Sequence, residues 1–363
     1  MIVIGTDTHK RTHTCGAVFA GTGEFAGELT ASAREPGFRQ LLDWGRDLEE
    51  ERIWAIEDCR HVSGALERFL VASGERVVRV PPKLMGQSRR GERAAGKSDP
   101  IDALAVARAA LREGPETLPS AHLDEDALQL KLLLGHREDL VKARSEDQCR
   151  LRWHLHDLWP ELEIPTGALD RILWLDRLSR RLGRAEQSTR VAIARELVVE
   201  IRRRTRRAKE LEREIGALVE ETAPELLALE GCGALTAAKL LAETAGAGRL
   251  ATDAKFARLA GVAPIPASSG KRIRHRLDRG GNRQLNCALH RIAVTQGRVH
   301  PPAREFLAKK QAEGKSRMEA LRCLKRHLAR RVWRLLLDSE RERSMTTVDT
   351  QRDSLAPQFA VAA

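Results

Sequence analysis

Hydrophobic positions in the first 118 residues switch between the short period of strands and the longer period of helices. Apolar runs predict strands in MIVIGTDT, THTCGAVFA, GEFAGELTA, RIWAIED and RVVRV. Helical spacing predicts helices in EPGFRQLLDWGRDLEE, in VSGALERFLVASG and in the run that begins at Asp99. Consecutive strands form antiparallel hairpins, and alternating helix and strand form βαβ units. Residues 1–118 are therefore predicted to form an α/β domain, a mixed sheet flanked by helices.

Residues 121–222 keep apolar residues at spacings of three and four over many turns, with a proline-containing break between two long segments. This pattern predicts an antiparallel coiled-coil arm, and a plain helical subdomain is the alternative. Within it, the run RRRTRR at 202–207 is either a solvated face or a phosphate-binding stripe. Trp153 is predicted to pack against other side chains rather than to take part in chemistry.

Residues 224–340 are predicted to form a mostly helical domain. The stretch ELLALEGCGALTAAKLLAET is typical of a helix-hairpin-helix, in which Gly231 and Gly233 let backbone amides approach a phosphate. An ordinary pair of helices with a glycine cap is the alternative. Residues 341–363 are polar and then rich in alanine, which predicts a disordered tail. The fold class is therefore α/β plus all-α.

The net charge of +12 favours a polyanionic partner such as nucleic acid. No apolar run approaches the ~20 residues of a membrane-spanning helix, and the chain starts in a strand-like segment without a signal peptide. Its six cysteines are scattered and form no C-x-x-C pair, which suits a reducing cytoplasm. We therefore expect a cytoplasmic protein with no membrane partner. Tyrosine is absent, so no reaction step can use a tyrosine nucleophile.

Two acids open the helix in GKSDPIDALAVARAAL. Asp99 suits the N-cap, Pro100 the first helical position, and Asp102 the positive end of the helix dipole, so local helix chemistry could explain both acids. It does not explain Asp7 at the first strand or Glu57 at the end of the fourth, because both adjoin apolar β runs.

These four carboxylates would meet if the first and fourth strands are neighbours and the helix begins beside them. Clustered carboxylates repel one another unless divalent cations neutralise them. Two Mg²⁺ ions ~4 Å apart can activate an attacking oxygen and stabilise a leaving one in phosphoryl transfer. The sequence therefore predicts a site for two Mg²⁺ ions formed by Asp7, Glu57, Asp99 and Asp102.

Basic residues are concentrated in two stretches that we expect to bind nucleic acid. The first precedes the helix and contains Arg89, Arg90, Arg93 and Lys97. The second follows a Ser-Ser-Gly turn and contains Lys271, Arg272, Arg274, Arg276, Arg279 and Arg283. Such a serine is usually a plain turn residue, but a nucleophilic hydroxyl that attacks DNA needs this cationic setting. Spacing alone leaves Ser268 and Ser269 both open.

The chain resembles the bacterial insertion-sequence 110 family of transposases. The four acids resemble the tetrad of its DEDD domain, which has an RNase H or RuvC-like fold. The resemblance is carried by AIEDCRHVSGALERFL, RVPPKLMGQSRR and GKSDPIDALAVARAAL, which are similar to an actinobacterial branch. Many relatives have Glu-Ala-Thr-Gly where this chain has EDCRHVSG, which leaves Glu57 as the match and Asp58 as the competing carboxylate.

The stretch from LEGCG through GNRQLNCALHRIA resembles the second domain of the same family. The Ser-Gly of that domain falls on Ser269 and Gly270, so the resemblance makes Ser269 the nucleophile, with Ser268 as the alternative. The arm between the two domains would mediate dimerisation.

The resemblance implies a transposase that exchanges DNA strands with Mg²⁺ through a covalent serine–DNA link at the bacterial nucleoid. Composite sites would join the DEDD domain of one protomer to the serine domain of another, in a homodimer and in a tetrameric synaptic complex. A structured guide RNA from the element would pair with donor and target DNA, as in other RNA-guided systems. The alternatives are a hydrolytic junction nuclease that uses the metal site alone, and a non-catalytic nucleic-acid-binding protein.

Overall fold

The chain forms two compact units, Met1–Leu123 and Asp124–Ala363. The structure is a computed structural model. It describes residues 1–57, 60–81, 84, 98–121, 124–267, 275–276, 278 and 280–354. Within these ranges, no helix is both long and apolar enough to cross a membrane.

The first unit is built on a five-stranded mixed sheet with strand order β3-β2-β1-β4-β5. Its strands are β1 (Ile2–Thr8), β2 (Thr12–Phe19), β3 (Phe25–Ser32), β4 (Arg52–Glu57) and β5 (Val77–Val80). Its helices are α1 (Glu35–Leu48), α2 (Arg60–Ala72) and α3 (Asp99–Glu113). The central strand β1 pairs antiparallel with β2 and parallel with β4. The predicted mixed sheet flanked by helices is confirmed.

Side chains alternate across the sheet and separate two apolar layers. Ile2 and Ile4 of β1 belong to a core with residues of α1 and α2, whereas Val3 belongs to a second core with the alanines of α3. Gly5 follows Val3 on the α3 side, and a Cβ there would lie 2.1 Å from the carbonyl oxygen of Ala103. The missing side chain at Gly5 therefore lets α3 lie directly on β1.

The second unit begins with three helices, α4 (Glu125–Leu158), α5 (Ile172–Arg184) and α6 (Thr189–Thr222). The ion pairs Arg137–Glu212 and Arg204–Asp147 show that α4 and α6 run antiparallel, because residue numbers rise along one helix as they fall along the other.

The predicted coiled-coil arm is not confirmed, because α4 and α6 pack with other helices at both ends. At one end α5 completes a core with them, and at the other end Leu130 and Ile215 belong to the core of the C-terminal helices. This arrangement favours the alternative of a helical subdomain.

Four of the five arginines in the run at 202–207 form ion pairs within this subdomain. Arg202 pairs with Asp176 at 2.7 Å, and Arg204 pairs with Asp147 at 3.0 Å. These pairs favour an ion-paired helix surface over a phosphate-binding stripe. The packing prediction for Trp153 is wrong, since 73% of this residue is exposed.

The C-terminal part consists mainly of helices, from 7 to 38 residues long, around the core that contains Leu130 and Ile215. Its elements are α7 (Ala234–Thr244), α8 (Asp253–Leu259), β6 (Ile265–Pro266), β7 (His275–Arg276), α9 (Arg283–Val299), α10 (Pro301–Ala312) and α11 (Arg317–Ser354). Helix α11 continues past residue 340 to Ser354, where the sequence predicted a disordered tail. Residues 355–363 lie outside the described ranges.

The helix-hairpin-helix around Gly231 and Gly233 is not confirmed. The residues before it form a short 3-10 turn at Pro224–Leu226, and Gly233 is the N-cap of α7. Gly231 has a φ of 83°, and a Cβ there would lie 2.9 Å from the Cβ of Thr295. Backbone conformation and close packing on α9 thus account for Gly231, and a phosphate contact by either glycine stays a prediction.

The substitution Gly5→Ala tests the contact between β1 and α3. Its methyl group would displace backbone atoms of α3, so we expect the first unit to lose about 3 kcal/mol of stability. The control Gly21→Ala meets no atom within 4 Å and should change stability by less than about 0.5 kcal/mol. Hydrogen exchange of the β1 amides measures both effects, and equal protection in the two variants would contradict this account of the packing.

Candidate metal centre

The ends of β1 and β4 carry two of the predicted acids side by side. Thr6 lies opposite Ile56 in the parallel register, so Asp7 and Glu57 are the next residues along neighbouring strands. Asp7 is four residues after Val3 and Glu57 is two residues after Ala55, and both Val3 and Ala55 belong to the core on the α3 side of the sheet. The sheet therefore directs Asp7 and Glu57 to the same face.

Helix α3 supplies the other two acids in its first turn. The expectation that Asp99 is the N-cap is wrong: Ser98 is the N-cap, and no side-chain hydrogen bond caps the helix. Asp99 is the first helical residue, and its Oδ1 lies 3.3 Å from His9 Nε2. Local capping therefore does not explain Asp99.

His9 joins Asp7 to Asp99 and was not predicted from the sequence. Its Nε2 lies 3.1 Å from Asp7 Oδ2, and one ligand atom from each of the three residues lies within 4.8 Å of the others. The sequence signal for His9 is its position two residues after Asp7, because residues i and i+2 share one face of an extended chain. Imidazole and carboxylate groups are both common metal ligands.

Burial and neighbouring charge oppose ionisation of Asp7. Burial raises the pKa of Asp7, His9 lowers it, and the carboxylates of Asp102 and Asp99 raise it. Asp102 is itself buried, with 7% of the residue exposed. Two buried carboxylates that repel each other are the setting in which a bound cation lowers the electrostatic energy most.

The donor set fits a divalent cation. Among the described residues, the group with mutually close ligand atoms contains Asp7, His9 and Asp99 but neither Asp102 nor Glu57. Asp102 nevertheless acts electrostatically on Asp7, and Glu57 lies beside Asp7 on the neighbouring strand. Carboxylate oxygens from β1 and from the first turn of α3 thus lie beside the imidazole of His9.

The predicted nucleic-acid-binding residues fall partly outside the described ranges. Those outside are Arg89, Arg90, Arg93, Lys97, Lys271, Arg272, Arg274 and Arg279, together with Ser268, Ser269 and the competing acid Asp58. Arg276 lies exposed on β7, and Arg283 is the exposed first residue of α9. Two arginines further upstream, at and before β5, are also paired: Arg76 with Glu116 and Arg79 with Glu67. Arg76 and Arg79 therefore have carboxylate partners within the fold.

Comparison with known proteins gives a consistent result over both units. A family model described as a transposase, the DEDD domain of IS110, matches residues 4–160. A second, described as the transposase IS116/IS110/IS902 family, matches residues 223–308. A solved structure of T. thermophilus RuvC in complex with Holliday junction substrate matches with a TM-score of 0.27 and 15% identity, covering 33% of this chain and 99% of that chain.

Curated relatives match along nearly the full length. The insertion element IS116 uncharacterized 44.8 kDa protein of Streptomyces clavuligerus is 28% identical over 93% of this chain and 95% of its own. The insertion element IS900 uncharacterized 42 kDa protein of Mycobacterium paratuberculosis is 25% identical over 92% of this chain and 95% of its own. The insertion element IS110 uncharacterized 43.6 kDa protein of Streptomyces coelicolor is 29% identical over 67% of this chain and 71% of its own. The two family models together match more than half of the chain, and the protein belongs to the IS110 family of insertion-element transposases.

Proposed function

We propose that this transposase cleaves and exchanges DNA strands with Mg²⁺ at the carboxylate cluster and through a covalent bond between Ser269 and DNA. The observation that carries the metal-dependent part is the convergence of Asp7, His9 and Asp99, with the buried Asp102 acting on Asp7. A structure that needed these acids only for folding would gain nothing from burying two carboxylates close together.

Asp7, Glu57, Asp99 and Asp102 are the proposed ligands. Mg²⁺ bound there would activate an attacking oxygen and stabilise the charge that develops on the phosphate. The chain contributes the geometry, because β1, β4 and α3 bring these side chains to one end of the sheet before any cation arrives. His9 holds Asp7 and Asp99 at hydrogen-bonding distance from one imidazole nitrogen.

The serine step conserves the energy of the phosphodiester. The Ser269 oxygen forms a bond to phosphorus while one ester oxygen of the DNA leaves, and the serine proton ends on that oxygen as a hydroxyl group. A hydroxyl of another strand then reverses the step, so strands are joined without ATP. The absence of tyrosine supports a serine nucleophile for any covalent link.

Charge and composition support nucleic-acid partners. The net charge is +12 while aromatic residues make up only 4% of the chain, which suits backbone recognition better than stacking on single-stranded bases. A protein that binds mainly the nucleic-acid backbone leaves sequence recognition to another component. A structured guide RNA from the element would supply it by base pairing. In this proposal the protein acts as a homodimer that forms tetrameric synaptic complexes with composite sites.

The substitution Asp7→Asn tests the metal site without requiring activity. The raised pKa means that ionised Asp7 opposes folding, so its favourable contribution is present below the ordinary pKa of 3.8 and is lost as pH rises. In chelator at pH 7 the variant should therefore melt above the parent, and the difference should vanish as pH falls below that pKa. Mg²⁺ should stabilise the parent and not the variant.

The control for this experiment is Asp47→Asn, an exposed acid on α1 that should follow the parent in both conditions. Thermal melting with and without Mg²⁺ measures all three proteins. Equal Mg²⁺ stabilisation of Asp7→Asn and parent would refute the metal role of Asp7.

The substitution Ser269→Ala tests the covalent step. The protein is incubated with RNA transcribed from the flanking noncoding region, with donor and target DNA and with Mg²⁺, and covalent protein–DNA adducts are measured by denaturing electrophoresis. We expect Ser269→Ala to form no adduct and no recombinant junctions, because one oxygen has been removed, while RNA binding persists. Ser268→Ala is the matched control and should retain both products. Junctions at the parental rate from Ser269→Ala would show direct attack by water or a DNA hydroxyl instead.

A further inference from the structure

A cavity of about 520 Å³ lies in the C-terminal part of the second unit. Residues flanking the short strands β6 and β7 line one side of the cavity, and α10 and α11 line the other. Six cationic side chains face it, namely Arg276, Lys310, Lys315, Arg322, Lys325 and Arg326. Its volume is within the range of small-ligand sites, and its charge indicates an anion.

Lys325 is the buried cation of this cavity. Only 5% of the residue is exposed, and its Nζ donates a hydrogen bond to Asn286 Oδ1 at 2.5 Å. Within the described part of the chain no carboxylate pairs with it, and burial lowers its pKa to about 8. A buried ammonium group without a counter-ion is unfavourable unless an anionic ligand supplies the missing charge.

Asn286 fixes the position of Lys325 relative to the β6–β7 segment. Its Nδ2 donates to the carbonyl oxygens of Ala260 and Gly261 at 3.0 and 2.9 Å, so its Oδ1 must face the ammonium group. The backbone amide of Asn282 donates to the Leu259 carbonyl at 2.6 Å. These hydrogen bonds hold residues 259–261, which precede β6, and Asn282, which follows β7, beside Lys325.

The carboxylates on the cavity wall already have cationic partners. Glu313 pairs with both Lys310 and Lys315, and Glu319 lies 3.8 Å from Arg322. Asp278 pairs with Arg258 at 3.4 Å. Arg326 pairs with Asp253 at 3.0 Å. Lys325 and Arg276 are therefore the two lining cations without a carboxylate partner among the described residues.

We propose that this cavity binds a backbone phosphate of the exchanged DNA strand and that Lys325 donates a hydrogen bond to it. This inference rests on the proposed function, because the strand would be the one that Ser269 attacks. Ser269 is the third residue after Pro266, and three residues of extended chain span at most about 11 Å. The phosphodiester would supply the counter-charge that Lys325 lacks, and Arg276 on β7 would contact the same backbone.

The substitution Lys325→Met tests this contact in the full chain with RNA, donor and target DNA and Mg²⁺. We expect covalent adduct formation to slow about 100-fold, the effect of losing one donor to a reacting phosphate. The melting temperature should stay equal or rise, because a buried ammonium group is replaced by an apolar side chain of similar length. The control Lys309→Met removes an exposed lysine of α10 outside the cavity and should react at the parental rate.

A second variant covers the case in which Lys325→Met does not fold. Arg276→Gln changes an exposed side chain and should slow adduct formation at least tenfold with unchanged melting. Parental adduct rates in Lys325→Met or, if that variant is unfolded, in Arg276→Gln would overturn the cavity proposal while Ser269→Ala still tests the proposed function. Loss of RNA affinity with the adduct rate retained would also overturn it, since the cavity would then bind RNA phosphate. In Arg276→Gln, a fall in melting temperature that accounts for the loss of adduct would also overturn it, as a structural effect.

Discussion

The contact between β1 and α3 is the constraint on which the first unit depends. A helix can lie this close to a strand only where the strand has no side chain, and Gly5 supplies that position on the central strand. The alanines of α3 keep its surface flat enough to fill the same layer. The start of α3 then reaches the end of β1, and Asp99 comes to the same imidazole as Asp7. A bulkier strand residue would move the helix and separate the acids.

The carboxylates that raise the electrostatic energy of the first unit lie where the contact between β1 and α3 ends. Asp7 and Asp102 are buried at the end of the apolar layer between β1 and α3. The repulsion between their carboxylates raises the electrostatic energy of the folded state. The first unit therefore contains a pair of buried carboxylates that costs electrostatic energy, which its other contacts offset. Strained electrostatics of this kind are common where function is selected over stability.

The second unit divides its cations into two groups. Arg202 and Arg204 hold helices together through carboxylate partners, so their charge is largely neutralised within the fold. Arg276 and Lys325 lack such partners in the described part of the chain and face one cavity. Some of the cationic side chains behind the net charge of +12 are thus neutralised within the fold, and others are available to a polyanion. The net charge alone does not distinguish the two groups.

The hydrophobic pattern predicts the strands and helices of the first unit, because hydrophobic period is a local property. It placed Asp7 and Glu57 together only on the condition that the first and fourth strands are neighbours, and the structure shows this pairing. The contact between His9 and Asp99 has no local signal in the sequence, because the two residues are 90 positions apart and meet only in the folded chain. The apolar spacing of α4 and α6 likewise predicts a coiled-coil arm. It does not indicate that α5 covers one end of this helix pair and the C-terminal core the other. Lys325 had no local signature at all: its burial depends on Asn286, on another helix, and side-chain packing between distant helices leaves no periodic trace in a single sequence.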